Sequence, residues 1–305
     1  MTRPRIGAIV GPTASGKSAL ALAIARRLPL EIISADSRQV YRGMDVGTAK
    51  PTAAERAAVR HHLLDVAAPD EPFSVADWVA RARSLVDQIS GRGNLPLVVG
   101  GTGLYVSALV DGFDFDAQAW SPQIRARLAA ELESAGLAPL AERLRLLVPA
   151  VAARIDLRNS RRVLRALERA EAGDPAMPQA EPYAGTVRIV GIRRPADVLA
   201  RRIEARARAM FGGGLLDETR ALLAAGHDTG QPALSGHGYA EAAGVLAGTT
   251  SVDEAVASTS RRVRQYARRQ MTWFDRDARI EWLDAGDSPS DRPALVEAAL
   301  AHLTG

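Results

Sequence analysis

Short, unbroken apolar runs alternate with stretches of helical periodicity through the first third of the chain. The runs near 6–10 (IGAIV), 30–34 (LEIIS), 62–66 (HLLDV) and 95–100 (LPLVVG) are too short for helices, as expected of strands buried on both faces. Helices are predicted over 17–28, 74–90 and 102–110, with Ser74 and Asp77 forming a capping box for the middle one. Such alternation predicts an α/β fold with a parallel sheet flanked by helices. The pattern then changes. Residues 121–171 carry only helical periodicity, opening on Ser121-Pro122 as N-cap and first helical position. The connector AGDPAMPQAEP closes that block, and the β-branched run TVRIVGI (186–192) returns to the sheet. The remainder reads as mostly helical, at 195–211, 214–225, 239–247 and 251–274. The organisation predicted is a core at 1–116, an all-helical insertion at 117–185, and the rest of the core at 186–305.

Composition narrows the class without naming a function. The 305 residues are 47% hydrophobic and 24% charged, as in an ordinary soluble globular protein. No apolar stretch reaches membrane-spanning length, and the first strand begins too early for a signal peptide, so a cytoplasmic protein with no membrane partner is expected. Cysteine is absent, which excludes disulfides and thiolate metal sites. The five histidines show no metal-ligand spacing, and His61-His62 reads as structural. Net charge is only +4, but residues 125–208 hold 17 Arg against 10 Asp and Glu. This basic middle is either a contact for a polyanion or a solvated arginine-rich surface.

The strongest chemical signal is the segment Gly11-Pro12-Thr13-Ala14-Ser15-Gly16-Lys17-Ser18, which fits G-x-x-x-x-G-K-[ST] between a strand and a helix. Backbone amides of such a loop converge on phosphate oxygens, Lys17 adds a point charge, and the Ser18 hydroxyl is placed to ligate Mg²⁺. Of 39 basic residues only two are lysines, Lys17 and Lys50. Retention of Lys at position 17 suits phosphate, where a compact ammonium is preferred to a planar fork. Lys50 is either a second such site or a coincidence.

Nucleotide hydrolases with this loop place an Asp at the end of a second apolar strand. Here that strand ends in Gly100-Gly101-Thr102, and the two glycines are read as allowing another molecule close to the backbone. Asp65 is a substitute carboxylate or merely closes a strand. Phosphate hydrolysis is therefore disfavoured. Asp36 lies just past the second strand, at the edge where α/β proteins bind ligands. It is either an Asx-turn cap or a functional group; its neighbours Ser37, Arg38, Gln39 and Tyr41 could hydrogen-bond to and stack on a base.

Together the blocks GPTASGKS, ISADSRQVYRGMDVGTAKP, HHLLDV, LVVGGTGLYVSAL, RRVLRALE and RRQMTWF resemble the bacterial tRNA dimethylallyltransferases, over residues 11 to about 274. The resemblance implies that the P-loop grips the diphosphate of dimethylallyl pyrophosphate with Mg²⁺. The implied acceptor is the exocyclic amine of the tRNA adenine 3′-adjacent to the anticodon, flipped from its stack. It further implies that Asp36 deprotonates that amine, with Thr102 beside it. Ser37, Arg38, Gln39, Arg125 and the stretch Arg161-Arg162-Val163-Leu164-Arg165 would contact tRNA. A diphosphate-binding arginine is implied on the helix at 195–211, Arg206 being favoured over Arg202. The block SGHGYAEA (235–242) departs from the family pattern at His237. A monomer is expected. The competing readings are a small-molecule P-loop kinase or adenylate prenyltransferase, against which the basic insertion argues, and a non-catalytic RNA-binding protein, which leaves the P-loop and Asp36 unexplained.

Overall fold

The computed structural model describes residues 4–112, 121–173 and 181–305. Six strands form one sheet: β1 (Ile6–Val10), β2 (Leu30–Ser34), β3 (His61–His62), β4 (Leu95–Val99), β5 (Val187–Arg193) and β6 (Ile280–Asp284). Their order is β3-β2-β4-β1-β5-β6, and every pairing is parallel. All C-terminal strand ends therefore meet at one edge, with β1 and β4 side by side at its centre.

Around the sheet lie α1 (Lys17–Ala25), α2 (Ala53–Ala58), α3 (Val75–Gly91) and α4 (Gly103–Val110). The expected capping box at the start of α3 is present, the Ser74 hydroxyl accepting from the Asp77 amide at 3.2 Å. Trp78 of α3 is fully buried, donates its indole N–H to the Ser34 carbonyl at 2.9 Å, and stacks on Tyr105 of α4. A second core joins Leu20 and Ile24 of α1 to Ile9, Leu97 and Val190 of the sheet.

The chain divides into two compact units, one comprising 1–111 with 182–305 and the other 112–181. The predicted boundary at 117 lies outside the described residues. In the smaller unit α5 (Pro122–Ala135), α6 (Leu137–Leu147), α7 (Pro149–Ala152) and α8 (Ser160–Glu171) bury Leu128, Leu140, Leu144, Val163 and Leu167 together. The larger unit continues with α9 (Ala196–Gly212), α10 (Leu215–Ala224), α11 (Tyr239–Leu246), α12 (Val252–Phe274) and α13 (Arg292–Thr304). Leu303 of α13 joins the core that α1 makes with the sheet.

Two expectations needed correction. The predicted strand at 62–66 stops after His62, because Leu63 (φ 60°) and Asp65 (φ 58°) adopt left-handed backbone conformations. The region after 186 also contains β6, an edge strand whose charged flanks, RIEWLD, disguise it as part of a helical tail.

Candidate active site

The loop after β1 is shaped by Gly11, whose φ of +136° and whose 2.7 Å clearance between an added Cβ and the Ile192 carbonyl admit no side chain. The Ser15 amide donates to the Pro12 carbonyl at 3.2 Å, and Lys17 Nζ donates to the same oxygen at 2.7 Å. The first amides of α1 have no intrahelical acceptor and face the ligand side of the loop. Ser15 is wholly buried, with a hydroxyl that has no partner among the described residues.

A cavity of about 390 Å³ opens here, lined by Gly16, Lys17 and Ser18 of the loop and by Arg202 and Arg206 of α9. Burial, reinforced by the charge of Arg206, lowers the Lys17 pKa to about 7, while Asp36 pulls it the other way. Burial also lowers the pKa of Arg206, again opposed by Asp36. Lys17, Arg206 and Asp36 thus share one electrostatic environment. Arg202 differs: its Nε donates to the Ala14 carbonyl at 3.0 Å and its Nη1 meets Asp287 at 3.3 Å. It braces the loop with its charge partly neutralised, whereas Arg206 has no ion pair among the described residues and donates to the Thr48 carbonyl at 3.3 Å. Both line the cavity; Arg206 brings the less compensated charge.

Asp36 follows β2 with one residue between. Its Oδ1 accepts from the amides of Arg38 (2.9 Å) and Gln39 (3.4 Å), so the Asx turn is present. The turn does not remove the carboxylate from the site, since its charge is felt by Lys17 and Arg206. Thr102, at the start of α4, accepts from the Ser37 amide at 3.1 Å, joining the ends of β2 and β4. Arg38 donates to the carbonyl of Pro232 and to Ser235 Oγ at 2.9 Å, which fastens its guanidinium to the segment before α11. The Gln39 amide is committed to the protein: its nitrogen donates to Thr48 and Ala49 carbonyls at 3.2 Å and its oxygen accepts from Ser34.

Several expectations change here. Gly100 and Gly101 make room for the protein itself: an added Cβ would lie 2.1 Å from the Ala35 carbonyl oxygen at the first and 2.1 Å from Gln270 Nε2 at the second. Lys50 is no phosphate ligand. Its ammonium is buried, donating to the Tyr41 carbonyl (2.6 Å), to Asp45 (2.7 Å) and to Asp65. Asp65 is held in addition by Arg56 at 2.9 Å, so it pins a loop and is not available to a metal. His62 is structural, meeting buried Glu31 at 2.7 Å.

Two positioning residues escaped sequence reasoning. Glu218 of α10 accepts three consecutive backbone amides, Asp45 (2.6 Å), Val46 (2.7 Å) and Gly47 (2.9 Å), plus the Tyr239 hydroxyl (2.8 Å). That clamp fixes the loop whose Thr48 carbonyl holds Arg206. Gln270 of α12 is buried and bridges Thr13 and Gly101. Both are polar residues on amphipathic helices, a pattern that normally signals a solvated face; only the RRQMTWF block drew attention to the second.

In the smaller unit Arg161 and Arg162 are exposed, as phosphate contact requires. Val163 is wholly buried and Leu164 packs partly on the same core, so their side chains help seat the helix. Arg125 and Arg165 are both held by Glu168, at 3.1 and 3.0 Å, and that carboxylate is buried. His237 packs its ring on Tyr266 at 5.2 Å between centroids, and burial lowers its pKa to about 4, so it is neutral near pH 7. Among the described residues no group of three His, Asp or Glu could hold a metal.

Residues 39–277 match the family described as IPP transferase. The chain is 48% identical over 285 residues to the tRNA dimethylallyltransferase of Salinispora arenicola, covering 92% of this chain and 82% of the relative. It is 46% identical to that of Roseiflexus castenholzii, covering 96% and 95%. The crystal structure of the full-length tRNA isopentenylpyrophosphate transferase from Bacillus halodurans aligns with a TM-score of 0.72 at 38% identity, over 98% of this chain and 97% of that one. This chain belongs to the IPP transferase family.

Proposed function

We propose that the protein transfers a dimethylallyl group from dimethylallyl pyrophosphate to the exocyclic N6 amine of the adenine 3′-adjacent to the anticodon of tRNA, releasing diphosphate. The observation that carries this reading is the cationic cavity of Lys17 and Arg206, with the Asp36 carboxylate in its field and glycines in place of a carboxylate at the end of β4. That arrangement suits departure of a diphosphate and deprotonation of an amine. It lacks the strand-end carboxylate with which nucleotide hydrolases hold the Mg²⁺ shell.

The allylic C–O bond breaks with its electron pair passing to the diphosphate. Preorganised amides of the loop, Lys17 and Arg206 stabilise the charge that develops there. The amine nitrogen forms the new C–N bond and gives up a proton to Asp36. Thr102 and Ser37, tied together at 3.1 Å, fix the Asp36 turn against the end of β4. Flipping the adenine out of its stack gives its amine access to the edge of the sheet. The exposed arginines of the smaller unit, Arg161 and Arg162, with the braced Arg125 and Arg165, supply the phosphate contacts that position the anticodon stem-loop.

Among the described residues no group of three His, Asp or Glu could hold a metal, so Ser18 would be the side chain to hold a Mg²⁺ ion beside the diphosphate. Bound there, the ion would neutralise diphosphate charge. Mass spectrometry of nucleosides from tRNA incubated with the protein and dimethylallyl pyrophosphate tests the reading: one adenine gains a five-carbon unit. Unmodified tRNA, with free adenosine monophosphate prenylated in its place, would overturn it.

A further inference from the structure

Two arginines reach the phosphate loop from outside it and take successive carbonyls. Arg202 Nε donates to the Ala14 carbonyl at 3.0 Å, and Arg194 Nε donates to the Ser15 carbonyl at 2.6 Å. In a trans peptide the C=O and the following N–H point in opposite directions, so each grip also aims an amide. The Ser15 amide, opposite the Arg202 contact, turns back to the Pro12 carbonyl at 3.2 Å and closes the loop. The Gly16 amide, opposite the Arg194 contact, has no acceptor among the described residues, and Gly16 lines the cavity. Of these two amides, that of Gly16 is the one left for an anion.

Arg194 follows β5 directly and is itself anchored. Its Nη1 donates to the carbonyls of Ala285 (3.4 Å) and Gly286, in the segment after edge strand β6. The same segment supplies Asp287, which meets Arg202 at 3.3 Å. The remaining nitrogen, Nη2, rests on the loop: an added Cβ on Gly16, whose φ is +102°, would lie 3.2 Å from it. Burial, followed by the charge of Arg202, lowers the Arg194 pKa, yet a guanidinium keeps its charge at any working pH. Arg194 is not among the residues that line the cavity, so its influence on a bound anion runs through the loop.

We propose that Arg194 is a positioning residue for the prenyl diphosphate: by holding the Ser15 carbonyl it keeps the Gly16 N–H turned to the anion side of the loop, with the segment after β6 as its anchor. The inference rests on the diphosphate reading above. A glycine has wide backbone freedom, so without the grip the Gly16 amide is aimed at the ligand only part of the time. A donor already oriented when the anion arrives spares the cost of ordering it on binding.

The test uses the full chain with inorganic diphosphate as the probe, read by titration calorimetry and by the Gly16 amide resonance of ¹⁵N-glycine-labelled protein. In the wild type that resonance should move downfield as the amide bonds the anion. Arg194→Ala should weaken diphosphate binding by about tenfold, the lower end of what one hydrogen bond to a charged group contributes, and the Gly16 shift should largely disappear. Arg194→Lys keeps the charge without the planar fork that reaches the loop and the segment after β6 together. It should show nearly the same losses against the wild type, and it decides the matter if Arg194→Ala fails to fold. Wild-type affinity in Arg194→Lys would reduce Arg194 to a point charge, and weaker binding with the Gly16 shift intact would make it a direct ligand; either overturns the positioning role. The wild type checks the parent reading separately. A Gly16 resonance that ignores diphosphate in the wild type would overturn both, whereas a wild-type response matched by the variants overturns the role of Arg194 alone.

Discussion

The Thr13 amide donates to Gln270 Oε1 at 2.9 Å across 257 positions of sequence, while Gln270 Nε2 donates to the Gly101 carbonyl, also at 2.9 Å. One buried side chain thereby ties the phosphate loop to the end of β4, where Thr102 begins α4. It also withdraws the Thr13 amide from anion binding, leaving the first amides of α1 to that task. Replacing Gln270 by Met keeps the length and leaves a buried donor and a buried acceptor unpaired, at roughly 1–3 kcal/mol each. Urea unfolding should show a loss of about 2–6 kcal/mol, with weaker prenyl diphosphate binding. A fully stable variant would mean that the two backbone groups find other partners.

Lys17→Ala should weaken use of the prenyl diphosphate while tRNA affinity stays nearly unchanged, since Lys17 lines the cavity and otherwise bonds the loop's own Pro12 carbonyl. A lost hydrogen bond to a charged group is worth about 1.5–3 kcal/mol, or roughly 10- to 150-fold in diphosphate affinity. Arg206→Ala should fall in the same range. Arg202→Ala should cost less, because Asp287 already offsets its charge. Titration calorimetry with the diphosphate ranks the three; a parallel collapse of tRNA binding in Lys17→Ala would contradict the assignment.

The sequence made the phosphate loop, the capping box of α3 and the α/β class legible because each depends on local spacing. It also brought Asp36 and Thr102 forward, though not the contact that joins them through the Ser37 amide. What stayed hidden depends on distant partners. Glu218, Gln270 and Glu168 look like ordinary polar positions on amphipathic helices until the fold sets them against backbone amides or arginines. The Gly100-Gly101 pair was read as space for a ligand, since a glycine pattern records close approach without recording what approaches. Lys50 was ambiguous for the same reason: its partners Asp45 and Asp65 are nearby in sequence, but the loop that brings them together has no periodic signature.

Glu31 is buried at the start of β2 and accepts both Arg92 Nε and Nη2 at 2.8 Å, with Asn94 and His62 as further partners. The Arg92 hydrogen bonds chiefly lower its pKa, from the ordinary carboxylate value of 4.5 to about 2, against the opposing effect of burial. A lowered folded-state value means that the unfolded chain binds the proton more tightly. The contribution, about 3 kcal/mol, is therefore complete above pH 4.5 and lost as pH falls toward 2. Glu31→Gln should destabilise the protein at pH 7 by that order, and the gap between variant and wild type should narrow by pH 3. Denaturant unfolding at the two pH values checks this; a constant gap would show that the ionised form is not what the cluster stabilises.

Glu168 offers a prediction whose sign separates positioning from bulk charge. Its carboxylate braces Arg125 and Arg165. Glu168→Gln makes the unit more positive, so simple attraction predicts tighter RNA binding, whereas loss of the brace predicts weaker binding to the anticodon stem-loop. The weaker outcome is expected. Reversing Arg161 and Arg165 together should also weaken binding and reduce the log–log salt slope by roughly one unit or less per lost phosphate contact. Filter binding across a salt series reads both, and tighter binding by Glu168→Gln would discard the brace.

Asp36→Asn is the sharpest variant because the structure shows what it preserves. Asx-turn geometry uses only Oδ1, which accepts from the Arg38 amide at 2.9 Å, and an asparagine oxygen can do the same. The turn, and with it the Ser37 amide that meets Thr102, should survive. What disappears is a base able to take the proton of an adenine amine, a poor nucleophile whose lone pair is delocalised into the ring. General-base contributions are typically ~10²- to 10⁴-fold. Binding of both substrates should change little, while single-turnover prenyl transfer at saturating tRNA and prenyl diphosphate should slow by about that factor. The charge of Asp36 also acts on Lys17 and Arg206, so a modest tightening of diphosphate binding is expected as that opposing carboxylate is removed. A rate within a few-fold of wild type would leave Asp36 as a turn residue and move the search for the base elsewhere at this edge of the sheet.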